Sequence, residues 1–584
     1  MISLDLLIYN ACIADVFRMR VFDGWIGIRD GRFIYVEEGT PPNGIVAAET
    51  HDLSGGVIAP GLIDAHMHVE SSLLTPRGFA QAVVPHGTTA VLADPHEVAN
   101  VAGEEGVRWM IRASQNLPLR IFYAIPSCVP ATSPEIEWTR AVFDADTVKR
   151  LTPEPSVVAL GEVMDYGQVL ANGERLRGMV DAAHDAGLLV EGHIPTLRCT
   201  DLSQYLAWRI SSDHTLTTPE KIREQISKGV AVMLQMKSCV TGNIATVNAL
   251  PDHSRLLLVT DDVEPALLTQ GHLSIIVRMA IDAGMPPLEA LASATIRPAR
   301  YLGLRDLGGI APGLRADFMV MRDLDTFPPS QVFCAGRRVA AAGKLTIEDL
   351  PFTPPPPGIT ELPGPFTHAN FALANDAACN TDHGTLALAV TQVPGSRMTI
   401  LANAVVIKSI TTSLTDLEKI RIRVENGFAQ FIDDDGLGLV AVIARDGSSK
   451  SVGVVKDLGW CAGACASSFA HDSHNLLVVG RNAEEMCAAA NAVREMRGGI
   501  AVVREGTVIA ALPLPVLGLL SDAPLEEIVH GFERVENTLR DLGMRHQRPF
   551  LMLSLLALSV SPRFKFSDKG VVDVEARRLL PTWE

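Results

Sequence analysis

The stretch Gly61-Leu-Ile-Asp-Ala-His-Met-His-Val-Glu-Ser-Ser72 decides the fold of this 584-residue chain. It places His66 and His68 two residues apart at the end of an apolar run, shortly after the Pro60-Gly61 turn. Side chains at positions i and i+2 of a strand point the same way, so both imidazoles can converge on one metal ion. A histidine pair in an ordinary loop is the alternative, and the rest of the chain decides between the two.

Seven further apolar, β-branched runs follow the first one, with helix-like stretches such as 173–186 and 219–228 between them. Strands that alternate with helices predict parallel βα units, and eight such units over about 200 residues predict a TIM-type (β/α)8 barrel. The eight runs are Val57–His68, Thr89–Asp94, Arg120–Pro126, Val157–Glu162, Leu188–His193, Ile210–His214, Val230–Met236 and Leu256–Asp261.

Candidate metal ligands are assigned at the ends of five of these eight runs. In such barrels, residues at the C-terminal ends of the strands form the active site rather than pack the core. Packing alone therefore does not explain candidate ligands at five strand ends. The sequence therefore predicts a metal site in the barrel mouth. Its ligands are His66 and His68 from the first run, then Glu162, His193, His214 and Asp261.

The segments outside the barrel, which is assigned to residues 57–308, predict further domains. Residues 1–56 and 309–345 alternate apolar and polar residues around tight turns, which indicates short antiparallel strands that pair into one small flanking β domain. A proline-rich stretch within 346–365 predicts a stiff linker. Residues 366–584 are then a separate C-terminal α/β domain.

Composition excludes several classes of function. The net charge of −17 argues against nucleic-acid or membrane-surface binding through a basic face. The sequence shows no signal pattern and no apolar run long enough for a membrane span. Its nine scattered cysteines indicate reduced thiols in a cytoplasmic protein. An acidic chain of this size also favours a homo-oligomer, although nothing in the sequence fixes the number of subunits.

Several motifs resemble a known family. Pro60-Gly-Leu-Ile-Asp-Ala-His-Met-His68 resembles the opening metal motif of the amidohydrolase superfamily. Within that superfamily, the chain resembles the microbial adenine deaminases nearly end to end. The more specific matching stretches are His66-Met-His-Val-Glu-Ser-Ser-Leu-Leu-Thr-Pro76, Asp94-Pro-His-Glu97, Gly161-Glu-Val-Met164, Glu191-Gly-His-Ile-Pro195 and Phe469-Ala-His-Asp-Ser-His-Asn475.

The resemblance implies a barrel of the amidohydrolase type, a C-terminal domain of the adenine-deaminase type, and hydrolytic deamination of adenine to hypoxanthine and ammonia by a metal-bound hydroxide. It favours manganese in a binuclear site, and the ligand types also suit Fe²⁺ or Zn²⁺. One ion would take His66, His68 and Asp261, the outer ion would take His193 and His214, and Glu162 would bridge them.

The same resemblance suggests roles around the metals. Asp261 would take a proton from the hydroxide and pass it to the leaving amine, with His214 and Glu162 completing the catalytic set. Glu70, His96 and Glu97 would hydrogen-bond ring nitrogens of the purine substrate, although Glu70 equally suits a partner of a ligand histidine. His471, Asp472 and His474 lack a nucleophile motif and are interpreted as structural or rim residues.

The chain departs from the family at several strand ends, one of which carries Gly192-His-Ile-Pro-Thr196 in place of the usual Gly-His-Ala-Pro-Gly. Thr215 stands where the family carries Glu, and Gln235-Met-Lys-Ser238 stands where an Arg-Glu-Gly-Ser-like run is usual. These changes keep deamination of an N6-substituted adenine open as an alternative. Hydrolysis of a cyclic amide is a second alternative, although such enzymes usually carry a lysine at the position of Glu162. A purine or metal sensor without turnover is the third, but it would be expected to lose a ligand.

Overall fold

In a computed structural model, the chain is described over residues 3–358, 361–373, 397–431, 436–460 and 462–583. It forms two compact units. The first unit comprises Met1–Pro95, Met110–Ser127 and Asp144–Pro354, and the second comprises His96–Trp109, Cys128–Phe143 and Pro355–Glu584. Two segments from the range 57–308 thus belong to the second unit. The four-part domain division drawn from the sequence stays a prediction.

A nine-stranded sheet in the first unit combines strands from both flanks of the barrel sequence within residues 3–358. The Asp30-Gly31 turn joins two of its strands, and both turn residues have positive φ (52° and 72°), as a tight hairpin demands. The strands are Leu4–Asp15, Arg20–Arg29, Arg32–Glu38, Ala47–Asp52, Val57–Pro60, Phe318–Met321, Gln331–Cys334, Arg337–Ala341 and Lys344–Leu345.

The predicted parallel barrel is confirmed in the first unit. Five parallel strands form one sheet and three form another within residues 3–358. Ser211 N–H donates to Val190 O at 3.0 Å between the two sheets, and a parallel bridge pairs Met67 with Asp261 where the ring closes. The strands are Leu62–Met67, Thr88–Ala93, Arg120–Ile125, Val157–Val163, Leu189–Gly192, Ser212–Asp213, Ala231–Leu234 and Leu256–Leu258.

The first predicted strand differs from the structure. The run Val57–His68 forms two strands, because Val57–Pro60 pairs with Phe318–Met321 in the nine-stranded sheet, whereas Leu62–Met67 opens the barrel. A Cβ atom on Gly61 would lie 2.3 Å from Thr89 Oγ1, so only glycine fits where the chain passes from one sheet to the other.

Helices alternate with the barrel strands, and the two stretches predicted at 173–186 and 219–228 form helices Glu174–Asp185 and Pro219–Ser227. Thr218 caps the latter by accepting from Lys221 N–H, with proline in the first turn. The other helices over residues 3–358 are Pro76–Val83, His96–Ala113, Ala145–Leu151, Tyr166–Leu170, Cys199–Leu206, Thr241–Asn248, Pro265–Leu268, Leu273–Asp282, Pro287–Ser293 and Ile296–Tyr301, with 3₁₀ turns at Glu70–Ser72, Val84–His86 and Met236–Ser238.

The second unit is rich in mostly antiparallel sheet. Over its described residues, one sheet has the order Phe428–Gln430, Thr415–Glu425, Arg397–Ile407, Lys450–Lys456, Leu437–Ile443, Leu476–Gly480, Ala464–Ser467, Gly499–Arg504 and Thr507–Pro513. A smaller sheet has Phe564–Ser567, Gly570–Asp573 and Arg578–Leu580. The helices are Ala483–Glu495, Leu525–Asp541 and Pro549–Ser554, with 3₁₀ turns at His368–Phe371 and Leu555–Ala557.

Apolar faces of these elements form separate cores in the two units. In the second unit, Ala483, Met486 and Val493 on one face of helix Ala483–Glu495 are buried in the same core as residues of the large sheet. Asn482 caps that helix by accepting from Glu485 N–H at 2.8 Å. Over the described residues, no helix has the length and apolarity needed to cross a bilayer.

Candidate metal centre

Six predicted side chains meet at the C-terminal ends of the barrel strands. Parallel strands in a closed barrel present their carboxyl ends on one rim, which is why residues far apart in sequence become neighbours here. Each of the six lies at the end of a strand or up to three residues beyond it: His66, His68, Glu162, His193, His214 and Asp261. Their ligand atoms form overlapping groups within 4.8 Å, such as His66 with Glu162 and His214, and His66 with His68 and Asp261.

Glu162 faces histidines on two sides. Its Oε2 lies 2.6 Å from His193 Nδ1 and 3.1 Å from His214 Nε2. Its Oε1 lies 3.5 Å from His68 Nε2. A carboxylate with one oxygen turned to each histidine group has the arrangement of a ligand that bridges two ions.

Asp261 completes the other side of the cluster. Its Oδ1 lies 3.5 Å from His68 Nε2 and 3.9 Å from His66 Nε2. These separations exceed a hydrogen bond and approach the spacing of two ligands on one ion with bonds of about 2.1 Å. Asp261 N–H donates to His66 O at 3.2 Å, which ties the last strand end to the first.

The surroundings of two histidines suit a bound ion. His68 Nδ1 lies 3.0 Å from Asp94 O, a carbonyl that only accepts, so Nδ1 carries the hydrogen and Nε2 keeps its lone pair. His66 Nδ1 lies 3.0 Å from Glu191 Oε2, and His66 Nε2 is buried with no hydrogen-bond partner among the described residues. An imidazole nitrogen that is buried, unprotonated and oriented by its other nitrogen is a ready metal ligand.

The electrostatics of the cluster also favour cations. Burial opposes ionisation of Glu162, yet His214 and His193 hold the pKa of Glu162 well below its usual range. Burial lowers and the carboxylates of Glu162 and Asp261 raise the pKa of His214, which reaches about 9. Burial, with His214 nearby, lowers the pKa of His66 well below its usual value. The negative field that attracts a proton to His214 attracts a divalent ion equally well.

Asp94 positions two of the six side chains, and the sequence reasoning did not assign it a role. Its backbone carbonyl accepts from His68, and its Oδ2 accepts from Glu162 N–H at 3.0 Å. Gly161 makes room for this contact, because a Cβ atom there would lie 2.0 Å from Asp94 Oδ2. Asp94 ends the second predicted run, so the same strand-end argument could have found it.

Glu191 and Asp213 are two further supports that the sequence reasoning missed. Fully buried Glu191 lies against His66, and burial raises its pKa to about 8, whereas an ion on His66 would favour the ionised carboxylate. Asp213 Oδ1 accepts from Ile194 N–H and Thr215 N–H, both at 3.0 Å, and thereby fixes the backbone after His193 and His214. Glu191 lies two residues before His193, a same-face spacing that could have indicated it.

The side chain of Thr215 hydrogen-bonds to Asp213 and Lys221. Its hydroxyl donates to Asp213 Oδ1 at 2.8 Å and accepts from Lys221 Nζ at 2.6 Å. Lys221 is buried and forms an ion pair with Asp213 Oδ2 at 2.7 Å. Lys237 of the other divergent stretch is exposed.

The residues predicted to bind substrate fall in different units. Glu70 is buried in the first unit, in the 3₁₀ turn directly after His68 and Val69. His96 and Glu97 begin a helix segment that belongs to the second unit. Their role in substrate binding stays a prediction.

In the second unit, His96 and Glu97 lie beside residues of the Phe469–Asn475 motif. Asp472 Oδ1 lies 3.9 Å from His96 Nε2 and 3.6 Å from His471 Nδ1, and Glu97 Oε1 lies 3.9 Å from His471 Nδ1. His474 Nδ1 accepts from Ala470 N–H at 3.1 Å, so its Nε2 carries the hydrogen and is a donor rather than a metal ligand. The cluster therefore differs chemically from the barrel site.

Comparisons with known proteins agree with this geometry. Residues 57–339 match the amidohydrolase family, and residues 412–578 match the adenine deaminase C-terminal domain. The chain belongs to the adenine deaminase family. It is 35% identical to an adenine deaminase of Desulfatibacillum aliphaticivorans, covering 100% of this chain and 98% of that protein. Adenine deaminases of Nitratidesulfovibrio vulgaris and Halalkalibacterium halodurans are 37% and 36% identical, each over 98% of this chain and over 95% and 94% of those proteins.

Family membership confirms some of the sequence predictions and leaves others as predictions. It confirms the predicted family and, with the parallel strands, the amidohydrolase-type barrel. It implies a divalent metal, and the barrel rim holds a fitting ligand set. The role of each individual site residue stays a prediction.

Proposed function

We propose that this protein hydrolyses adenine to hypoxanthine and ammonia at the barrel rim. The observation that carries the proposal is Glu162, with one oxygen facing His68 and the other facing His193 and His214. Four imidazoles and two carboxylates on one rim suit a pair of divalent ions. The relatives named adenine deaminases match this chain from end to end.

His66, His68 and Asp261 would hold one ion, His193 and His214 would hold the other, and Glu162 would bridge them. Bound divalent ions lower the pKa of water and so supply a nucleophile at neutral pH. The new bond joins the water oxygen to C6 of the purine, and the C6–N6 bond breaks.

Asp261 accepts a proton from the attacking water and delivers it to the departing amino group, which leaves as ammonia, while the second proton of the water ends on N1 of hypoxanthine. Asp261 Oδ1 lies 3.5 Å from His68 Nε2, and the second oxygen would serve for proton transfer. Glu70, His96 and Glu97 are proposed to orient the purine through its ring nitrogens. Water therefore adds, ammonia leaves, and no oxidant is consumed.

Manganese is the proposed metal, with Fe²⁺ or Zn²⁺ compatible with the same ligands. A homo-oligomer is the proposed assembly. Neither feature alters the assignment of the reaction.

The test is ammonia release from a panel of adenine, N6-methyladenine and adenosine with the manganese-loaded protein. Adenine should give equal amounts of hypoxanthine and ammonia, and adenosine should be a poor substrate. Asp261→Asn protein prepared in parallel controls for contaminating deaminases. A higher kcat/KM for N6-methyladenine would support the alternative deaminase, because sites that hydrogen-bond their substrate reject mismatched analogues. Turnover of neither base would contradict both.

A further inference from the structure

Gln235 contacts two of the strand ends that carry the candidate centre. It follows the seventh barrel strand, Ala231–Leu234, directly. Its Nε2 lies 2.9 Å from Asp261 Oδ2 and 3.4 Å from the carbonyl oxygen of His214. Both partners are oxygen atoms that accept, so the amide must present its NH₂ group to them. The carboxamide of Gln235, at the end of the seventh strand, thus links the ends of the sixth and eighth strands.

The Asp261 side chain is less constrained by its surroundings than that of His66. Its backbone has φ +62°, in the left-handed region that is unfavourable for a residue with a side chain. The strand Leu256–Leu258 ends before it, and the isolated bridge to Met67 holds its backbone rather than its side chain. Its side chain is 19% exposed, whereas that of His66 is fully buried. Neither regular structure nor complete burial therefore fixes the direction of this carboxylate.

The two oxygens of Asp261 have different surroundings. Oδ1 faces His66 and His68 at 3.9 Å and 3.5 Å, and Oδ2 accepts from Gln235. Rotation about the Cβ–Cγ bond would exchange the two oxygens or bring both towards one ion. A donor on Oδ2 favours the orientation in which Oδ1 alone faces the histidines.

We propose that Gln235 is a positioning residue that holds Asp261 as a one-oxygen metal ligand with its second oxygen available for proton transfer. The inference rests on the proposed deamination. Gln235 opens the stretch in which this chain departs from the Arg-Glu-Gly-Ser-like run of the family.

The test compares three substitutions at this position. Gln235→Met keeps the length of the side chain and removes both donors, Gln235→Glu replaces the donor by a second carboxylate, and Gln235→Arg restores N–H donors. Gln270→Met, at an exposed glutamine in the first unit, is the matched control. Each protein is loaded with Mn²⁺, and metal content, kcat and KM for adenine, and the frozen-solution Mn²⁺ EPR spectrum are measured.

Gln235→Met should keep about two ions and a KM within about twofold of the parent, while kcat falls about 10- to 100-fold, because misdirected outer contacts cost that much. The fall in kcat should be larger in Gln235→Glu, and Gln235→Arg should recover most of the parental kcat. The EPR spectrum should change in the Met variant and return towards the parent in the Arg variant. The control should match the parent throughout.

Parental kcat in Gln235→Met, or loss of both ions together with kcat, would overturn the positioning role. The EPR comparison does not depend on the substrate. If the parent itself does not deaminate adenine, the proposed function fails. An unchanged EPR spectrum in Gln235→Met then still refutes the inference, and a changed spectrum that Arg restores still supports it.

Discussion

Replacement of Gly161 by alanine should damage the metal centre without touching any ligand. A Cβ atom at Gly161 would lie 2.0 Å from Asp94 Oδ2 and 2.6 Å from its Cγ. Both distances are shorter than 3.0 Å, and real Cβ atoms essentially never make contacts below that distance. The Asp94 carboxylate must therefore move by at least about 1 Å. Such a movement breaks its 3.0 Å hydrogen bond from Glu162 N–H and disturbs the carbonyl that orients His68.

The expected losses of stability and of Mn²⁺ affinity follow from these contacts. A buried hydrogen bond left unmade costs about 1–3 kcal/mol, and overpacking adds about 1–3 kcal/mol, so the free energy of unfolding of the first unit should fall by about 2–6 kcal/mol. Disturbed outer contacts should weaken Mn²⁺ binding about 10- to 100-fold. Gly161→Ala should therefore show both a lower unfolding midpoint and a higher Kd for Mn²⁺.

The assay is competition of the apo protein with a fluorescent chelator for Mn²⁺, combined with thermal unfolding of the same samples. Gly242→Ala is the matched control, because a Cβ atom there meets nothing within 4 Å and the residue lies in helix Thr241–Asn248. That control should bind Mn²⁺ like the parent and be equally or slightly more stable. Gly161→Ala with parental affinity and an unchanged unfolding midpoint would refute the reasoning.

Two further predictions concern a proton-transfer residue and a buried acid. Asp261→Asn should keep the fold and some metal but lose nearly all turnover, because an amide oxygen can ligate but cannot accept the proton; unchanged circular dichroism with unchanged kcat would contradict the proton-transfer role. Glu137 in the second unit accepts from Ser559 at 2.8 Å, and burial raises its pKa to about 7. The folded state therefore holds a proton that the unfolded state releases above pH about 4.3, so stability should fall by about 2 kcal/mol as pH rises from 5 to 7. Hydrogen exchange in the second unit at pH 5 and 7 should show this loss in the parent and not in Glu137→Gln; parallel losses in both would contradict it.

The barrel could be predicted from the sequence because its signal is local and repeated. Each apolar run is short, and helix-like stretches separate the runs, so the alternation is visible without any contact information. The meeting of six side chains from His66 to Asp261 follows from one topological fact, namely that parallel strands end on the same rim. The candidate ligands could therefore be predicted from the residues at the ends of the runs.

Features that depend on packing could not be predicted in the same way. The division of the run Val57–His68 at Gly61 depends on how closely Thr89 approaches from the neighbouring strand. Glu191 and Gln235 contact candidate ligands on other strands, and although spacing could have indicated Glu191, neither segment shows which residue it contacts. The assignment of His96–Trp109 and Cys128–Phe143 to the second unit depends on contacts with residues beyond position 354, which no local pattern records.

A two-metal centre that deaminates adenine requires that turnover depend on bound metal. The most direct measurement is titration of the apo protein with Mn²⁺ while bound metal is counted by elemental analysis and ammonia release from adenine is followed. Activity should rise with metal and saturate at about two ions per chain. Full activity in protein with no measurable metal, or saturation at a single ion, would contradict it.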